Sequence, residues 1–171
     1  YIQSIKKIAI EEKVMIIIPQ TSREIISLSQ HLDEFREIDV SVIVSDYASI
    51  RRANDKYLII KECKNTNVPY PEYFLIDNEK DFHSSLEKLG YPNNKVVVKP
   101  RFSSGLRGLR IISNETLTIN EFLEEKPTGL NIDLESILKI FRNGPFPEML
   151  VTEYLPGDEY SVDVFRNSNG T

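Results

Sequence analysis

Lys95, Lys99, Arg101, Arg107 and Arg110 crowd into sixteen residues, Lys95 to Arg110, that contain no acid. The window carries +5 in a chain whose net charge is -5, so the remaining residues together carry -10. Within it, Ser103-Ser104-Gly105-Leu106-Arg107-Gly108 supplies hydroxyls, glycines and a cation in one short stretch. Glycine lets the backbone turn its amides toward a single point, and hydroxyls with flanking cations complete a cradle for phosphate oxygens. A basic hairpin loop standing in solvent is the competing account of the same residues. Lys99 favours the cradle, because it follows Val96-Val97-Val98, which places its stem along a buried strand and its ammonium beside the loop. A structural lysine snorkelling from a strand end is the alternative there.

Other phosphate motifs are excluded by inspection. No glycine is followed by lysine, so the P-loop pattern is missing, and no Gly-x-Gly-x-x-Gly fingerprint occurs. The valine-lysine strand has neither the histidine-centred catalytic loop nor the Asp-Phe-Gly of protein kinases after it. A second polar constellation runs from Val151 to Asp163. Strand alternation there sets Glu159, Ser161 and Asp163 on one face and Tyr160, Val162 and Val164 on the other. Carboxylates at such a strand end can accept from an adenine amine and ribose hydroxyls, or can form a solvent face.

These groups need a scaffold, and the pattern predicts an α/β one. Val14 to Ile18 reads as a fully buried strand closed by Pro19, and Thr21-Ser22-Arg23-Glu24 as a capping box opening a helix with Ile25, Leu28, Leu32 and Phe35 on one face. Val40 to Val44 is a second buried strand, which makes a strand-helix-strand unit of a doubly wound sheet. Ser45 and Asp55 are candidate N-caps for helices over Asp46 to Ala53 and Lys56 to Thr66, the second with Ile59, Ile60 and Cys63 on its inner side. Val68-Pro69-Tyr70-Pro71 ends that helix and marks a lobe boundary. Beyond it the spacing predicts strands at Tyr73 to Ile76, Lys95 to Lys99, Leu109 to Ile112, Met149 to Tyr154 and Tyr160 to Arg166. Helices are predicted at Glu79 to Leu89, near Ile119 to Glu125, and at Leu134 to Phe141.

Composition bounds the function. With 40% hydrophobic and 27% charged residues over 171 positions, the chain is long enough for a packed core and is not a disordered one. The acidic balance argues against a nucleic-acid track as partner. The longest apolar run, Val14 to Ile18, is far short of the roughly 18 to 20 residues that cross a bilayer, so no membrane span is expected. A lone cysteine, Cys63, which reads as a core residue, suits a reducing compartment, with the cytoplasm as default. Neither His31 nor His83 has a partner at metal-ligand spacing. The chain starts at Tyr1 and stops just after an Asn-Gly turn signal with no return strand, so a piece of a longer protein is expected.

In order, Asp55-Lys56, Val68-Pro69-Tyr70-Pro71, Val97-Val98-Lys99-Pro100-Arg101 with its Ser103 to Gly108 loop, and Glu153-Tyr154-Leu155-Pro156-Gly157 running into Glu159-Tyr160-Ser161-Val162-Asp163-Val164 resemble the ATP-grasp superfamily. The resemblance is strongest to its carbamoyl-phosphate-synthase-like branch and covers roughly Val14 to Phe165. It implies a fold in which residues 1–68 form the C-terminal part of a Rossmann-like pre-ATP-grasp domain with linking helices. Residues 69–171 would form the N-terminal, nucleotide-binding part of an ATP-grasp domain. It also implies ATP and Mg2+ as cofactors, with Lys56, Lys99, Arg101 and the loop residues Ser103, Ser104, Gly105, Arg107 and Gly108 around the phosphates. Glu153 would meet the adenine amine, the backbone of Tyr154 and Leu155 would border the base, and Glu159 would hold the ribose. Leu106 departs from the family pattern, which favours a small residue there.

The family's metal carboxylates, asparagine ligand and acyl-phosphate arginine fall after Thr171, so no metal ligand or catalytic residue is expected within this range. Full-length relatives phosphorylate a carboxylate with ATP and pass it to an amine, so small-molecule carboxylates and amines are the implied partners, and a homo-oligomer is compatible with the family. A non-catalytic nucleotide-binding module of the same fold is the alternative, and a plain Rossmann-like domain a third.

Overall fold

The computed structural model of the chain describes residues 1–114, 130–162 and 164. Two cores organise them. The first collects Ala9, Leu28, Phe35 and Val40, with Ile2, Ile5, Val14, Ile17, Ile38 and Val42 packed around them. It is built by α1 (Ile2–Glu11), β1 (Ile16–Ile17), α2 (Ser22–Ser29), α3 (Leu32–Arg36) and β2 (Ser41–Val42). The two strands are parallel, with Ile16 opposite Ser41 and Ile17 opposite Val42.

The capping box forms as its residues require. Thr21 accepts from the Glu24 amide at 3.3 Å and the Glu24 carboxylate accepts from the Thr21 amide at 2.9 Å. The strands are shorter than expected and not buried on both faces: Met15 is 76% exposed, and Ile16, Ile18 and Ile43 are exposed too. The reason is coverage. The Ile17 and Val42 side packs into the core, whereas no described residues cover the other side. The helix α1 was not expected, although Ile2, Ile5 and Ala9 stand at helical spacing.

Two helices lead across to the second core. The first, α4 (Tyr47–Ala53), is capped by Asp46 rather than Ser45, through the Ser49 amide at 2.9 Å. The second, α5 (Lys56–Asn65), is capped by Asp55 as expected, with Ile60 buried, Cys63 half-buried and Ile59 exposed rather than inward.

A five-stranded sheet follows, made of β3 (Tyr73–Ile76), β4 (Val96–Pro100), β5 (Arg110–Ile112), β6 (Asn131–Ile132) and β7 (Met149–Glu153) in the order β3-β7-β4-β5-β6. Its pairs are antiparallel except β5 with β6, an edge strand not read from the sequence. Two helices, α6 (Glu79–Lys88) and α7 (Leu134–Phe141), cover one face, where Phe82, Leu86, Ile137, Leu138 and Phe141 pack on Val96, Val98, Ile112, Met149 and Val151. Asn78 caps the first through the Asp81 amide and Asp133 the second through the Ser136 amide, each at 2.9 Å.

The opposite face takes the alternate residues Val97 and Lys99, with Leu150 and Thr152 across from them. Here Tyr57 of α5 meets Tyr73 of β3 edge to face at 5.9 Å. Residues 160–162 and 164 do not form the expected strand. No described residue pairs with them, and Tyr160, Val162 and Val164 stay exposed. The rest of that segment, Asp163 included, and the helix expected near Ile119 to Glu125 lie outside the described residues.

Candidate functional site

The site forms where the start of α5 meets the end of β4. Lys56 is the first residue of α5, and its amide donates to the Arg101 carbonyl at 3.4 Å. Its Nζ then reaches the loop, donating to the Ser103 carbonyl at 2.8 Å and the Ser103 hydroxyl at 2.9 Å. Lys99 stands half-buried on β4 opposite Leu150 of β7, and its ammonium makes no hydrogen bond or ion pair with any described residue. Both lysines have pKa values below the ordinary lysine range. Burial is the first cause for each; the charge of Lys56 adds to it for Lys99, and Asp55 opposes it for Lys56. Two half-buried ammonium groups that repel one another, one without a counter-charge, are a site prepared for an anion.

The loop turns as its glycines require. Gly105 and Gly108 have φ of +60° and +76°, and Leu106 adopts +59° between them, the left-handed region that disfavours a side chain. At Gly108 a Cβ would also stand 2.6 Å from the Pro100 ring, so the loop closes against β4 only because that position lacks one. Arg107 Nη1 donates to the carbonyl and hydroxyl of Ser104 at 3.1 and 3.2 Å.

Arg101 does not join the lysines as a free cation. Its guanidinium grips Asp55 through Nε at 2.9 and 3.0 Å and Nη2 at 2.6 Å, and Nη1 reaches Glu148 at 3.0 Å. It also lies 5.2 Å from the rings of Tyr57 and Phe102. Asp55 is 3% exposed. Burial alone would raise its pKa, but hydrogen bonds from Arg101 and the Leu58 and Tyr57 amides, with the Arg101 charge, hold it below the usual aspartate range. This latch fixes the α5 start, and so Lys56, against the end of β4. The Asp55 and Glu148 roles were missed in the sequence, where Asp55 showed only its capping signal.

The remaining expected residues are spread out. Glu153 ends β7 opposite Val96, on the face packed by α6 and α7, so strand parity sets it on the other side from Lys99. Its carboxylate accepts from the Glu72 amide at 2.8 Å. Tyr154 follows with Lys95 Nζ 5.9 Å from its ring centre, while Leu155 and Glu159 are exposed. Among the described residues no group of three or more His, Cys, Asp or Glu could hold a metal ion. None of their helices is long and apolar enough to cross a membrane.

No known family profile matches the chain. Its fold is similar to that of solved structures. The biotin carboxylase domain of 2-oxoglutarate carboxylase from Hydrogenobacter thermophilus, in complex with MgADP and bicarbonate, superposes with a TM-score of 0.60 at 17% identity, over 90% of this chain and 31% of that one. N5-carboxyaminoimidazole ribonucleotide synthetase from Thermus thermophilus gives 0.56 at 14% identity, over 91% and 34%. A RimK domain ATP-grasp protein from Sphaerobacter thermophilus gives 0.54 at 17% identity, over 83% and 46%. The chain thus spans about a third of the first two proteins and under half of the third. At these identities the likeness establishes the fold, an α/β arrangement shared with ATP-grasp proteins across most of the chain.

Proposed function

We propose that this chain is the ATP-binding portion of an ATP-dependent ligase that joins a carboxylate to an amine, residues 1–68 belonging to its pre-ATP-grasp lobe and 69–171 to its ATP-grasp lobe. The observation that carries the reading is Lys99, half-buried, without a described partner, and set against a second half-buried lysine at a glycine-bearing loop. Lys56 and Lys99 would take the nucleotide phosphates, with the amides of Ser103 to Gly108 turned over them. In such a reaction a carboxylate oxygen attacks the terminal phosphorus of ATP and ADP leaves; the amine then attacks the acyl carbon and phosphate leaves, the amine proton passing to solvent. A carbamoyl-phosphate-type reaction is the finer form of the proposal.

The described residues do not fit a Mg2+ site beside the lysines, since Asp55 is bound to Arg101 and Glu153 lies on the opposite face. The binding role therefore rests on the lysines and the loop alone. A thermal-unfolding titration with ATP tests it. At about a hundred times its dissociation constant, ATP should stabilise the wild-type protein by roughly 2.7 kcal/mol and leave Lys99→Ala unmoved. Equal responses from the two proteins would remove Lys99 from the site.

A further inference from the structure

We propose that the cleft between α2 and the Ser103–Gly108 loop binds a carboxylic acid with an apolar body, held at its charged end by Arg23. That this acid is the one phosphorylated rests on the ligase reading above; the cleft itself does not. It is an open groove of about 640 Å³, and none of its lining residues is acidic. Arg23, in the first turn of α2, lines it from one side and has no hydrogen-bond or ion-pair partner among the described residues. Arg107 lines it from the loop, and it too has no acidic partner there.

A guanidinium fork matches a carboxylate bidentately, and here two arginines, Arg23 and Arg107, face a cleft with no acidic lining residue. The rest of the lining selects what the carboxylate is attached to. Ile26, Pro100 and Phe102 give the cleft an apolar wall, and Phe102 presents an exposed ring whose described ring contact is the Arg101 guanidinium. A small hydrophilic acid would leave that wall wet, whereas an aliphatic or aromatic body covers it.

Ser103 joins this cleft to the lysine pair. It lines the cleft and also accepts twice from Lys56. An acid held by Arg23 therefore lies beside phosphates held by Lys56, the adjacency that transfer of a phosphoryl group to a carboxylate needs.

The test is an NMR-monitored titration of the protein and of Arg23→Gln with phenylacetate, acetate, phenylacetamide and inorganic phosphate, with ATP titrated in parallel into Lys99→Ala. Arg23 is exposed and outside both cores, so its exchange leaves the fold in place. Phenylacetate should bind more tightly than acetate, which lacks the apolar body, and than phenylacetamide, which lacks the charge. Arg23→Gln should weaken phenylacetate about tenfold while ATP affinity is unchanged. The proposal is overturned if phenylacetate fails to bind, binds no better than phenylacetamide, binds Arg23→Gln equally well, or is displaced by phosphate at similar concentration. If ATP binds through Lys99 while phenylacetate does not bind, the cleft proposal falls and the nucleotide reading stands. If phenylacetate binds through Arg23 and ATP binds nowhere, the cleft is an acid site and the ligase reading falls.

Discussion

Lys99 is expensive to the folded chain. Its pKa is lowered by burial and by the neighbouring charge of Lys56, so folding disfavours its proton. In the window between that depressed value and the ordinary lysine range, the unfolded chain binds more protons than the folded one, and stability rises with pH. Below the window, at neutral pH, the lysine is charged in both states and the full deficit is present. Lys99→Met keeps the stem and removes the deficit. It should therefore stabilise the protein at neutral pH by about 1 kcal/mol in thermal unfolding and flatten the alkaline rise, while ATP no longer protects. ATP binding has the opposite linkage, since a phosphate favours the protonated amine. Its affinity should hold at neutral pH and decline as pH climbs through the depressed lysine range. A Lys99→Met protein less stable than wild type would show that Lys99 supports the fold.

At the scale of elements, the placement of α5 decides whether Lys56 reaches the loop, and one ion-paired cap sets it. Asp55 caps the helix through the Tyr57 and Leu58 amides and is bound bidentately by Arg101, Nε to Oδ1 and Nη2 to Oδ2. Asp55→Ala removes both and leaves Arg101 with Glu148 alone, which should cost about 4 kcal/mol in denaturant unfolding. Asp55→Asn keeps the cap and should cost less. Because the Asp55 pKa is depressed, its contribution is complete above the ordinary aspartate range and lost as pH falls through and below it. The gap between wild type and Asp55→Asn should therefore close in acid; a gap that persists there would assign the loss to packing.

The local half of this arrangement was legible in the sequence, because capping residues and the stripe of α7 act within a few positions. The Arg101 role was not: its acidic partners stand 46 and 47 residues away, and no local pattern marks a pair that only tertiary packing creates. The same distinction explains β1. Five apolar residues in a row give no period from which to tell which side will be covered. The placement of Lys99 beside its loop was legible for the converse reason, since strand, loop and return strand are consecutive, whereas Lys56 stands 47 residues from Ser103 and was suggested only by the family resemblance. The parity of Glu153 depended on the β4–β7 register, which composition does not encode.

The whole molecule joins a large core to a small one, and the site lies at their junction. Among the described residues twelve buried side chains form the sheet core and four form the other, so the apolar burial that opposes opening is much greater in the first. The amides that hold β2 to β1, Ser41 to the Met15 carbonyl and Ile43 to the Ile17 carbonyl, should exchange with solvent well ahead of those joining β4 and β7. Arg23 rides on the weaker core, whereas Lys99 belongs to the sheet and Lys56 is tied to it through Asp55 and Arg101. ATP on the lysines should then slow exchange at the start of α5 and along the loop without slowing the β1–β2 amides. An acid bridging Arg23 and the loop should slow both, because it links elements that otherwise open separately. Hydrogen exchange with ATP alone, with phenylacetate alone and with both distinguishes these cases. Uniform protection by ATP alone would mean that the two cores open as one unit and that the cleft adds no coupling between them.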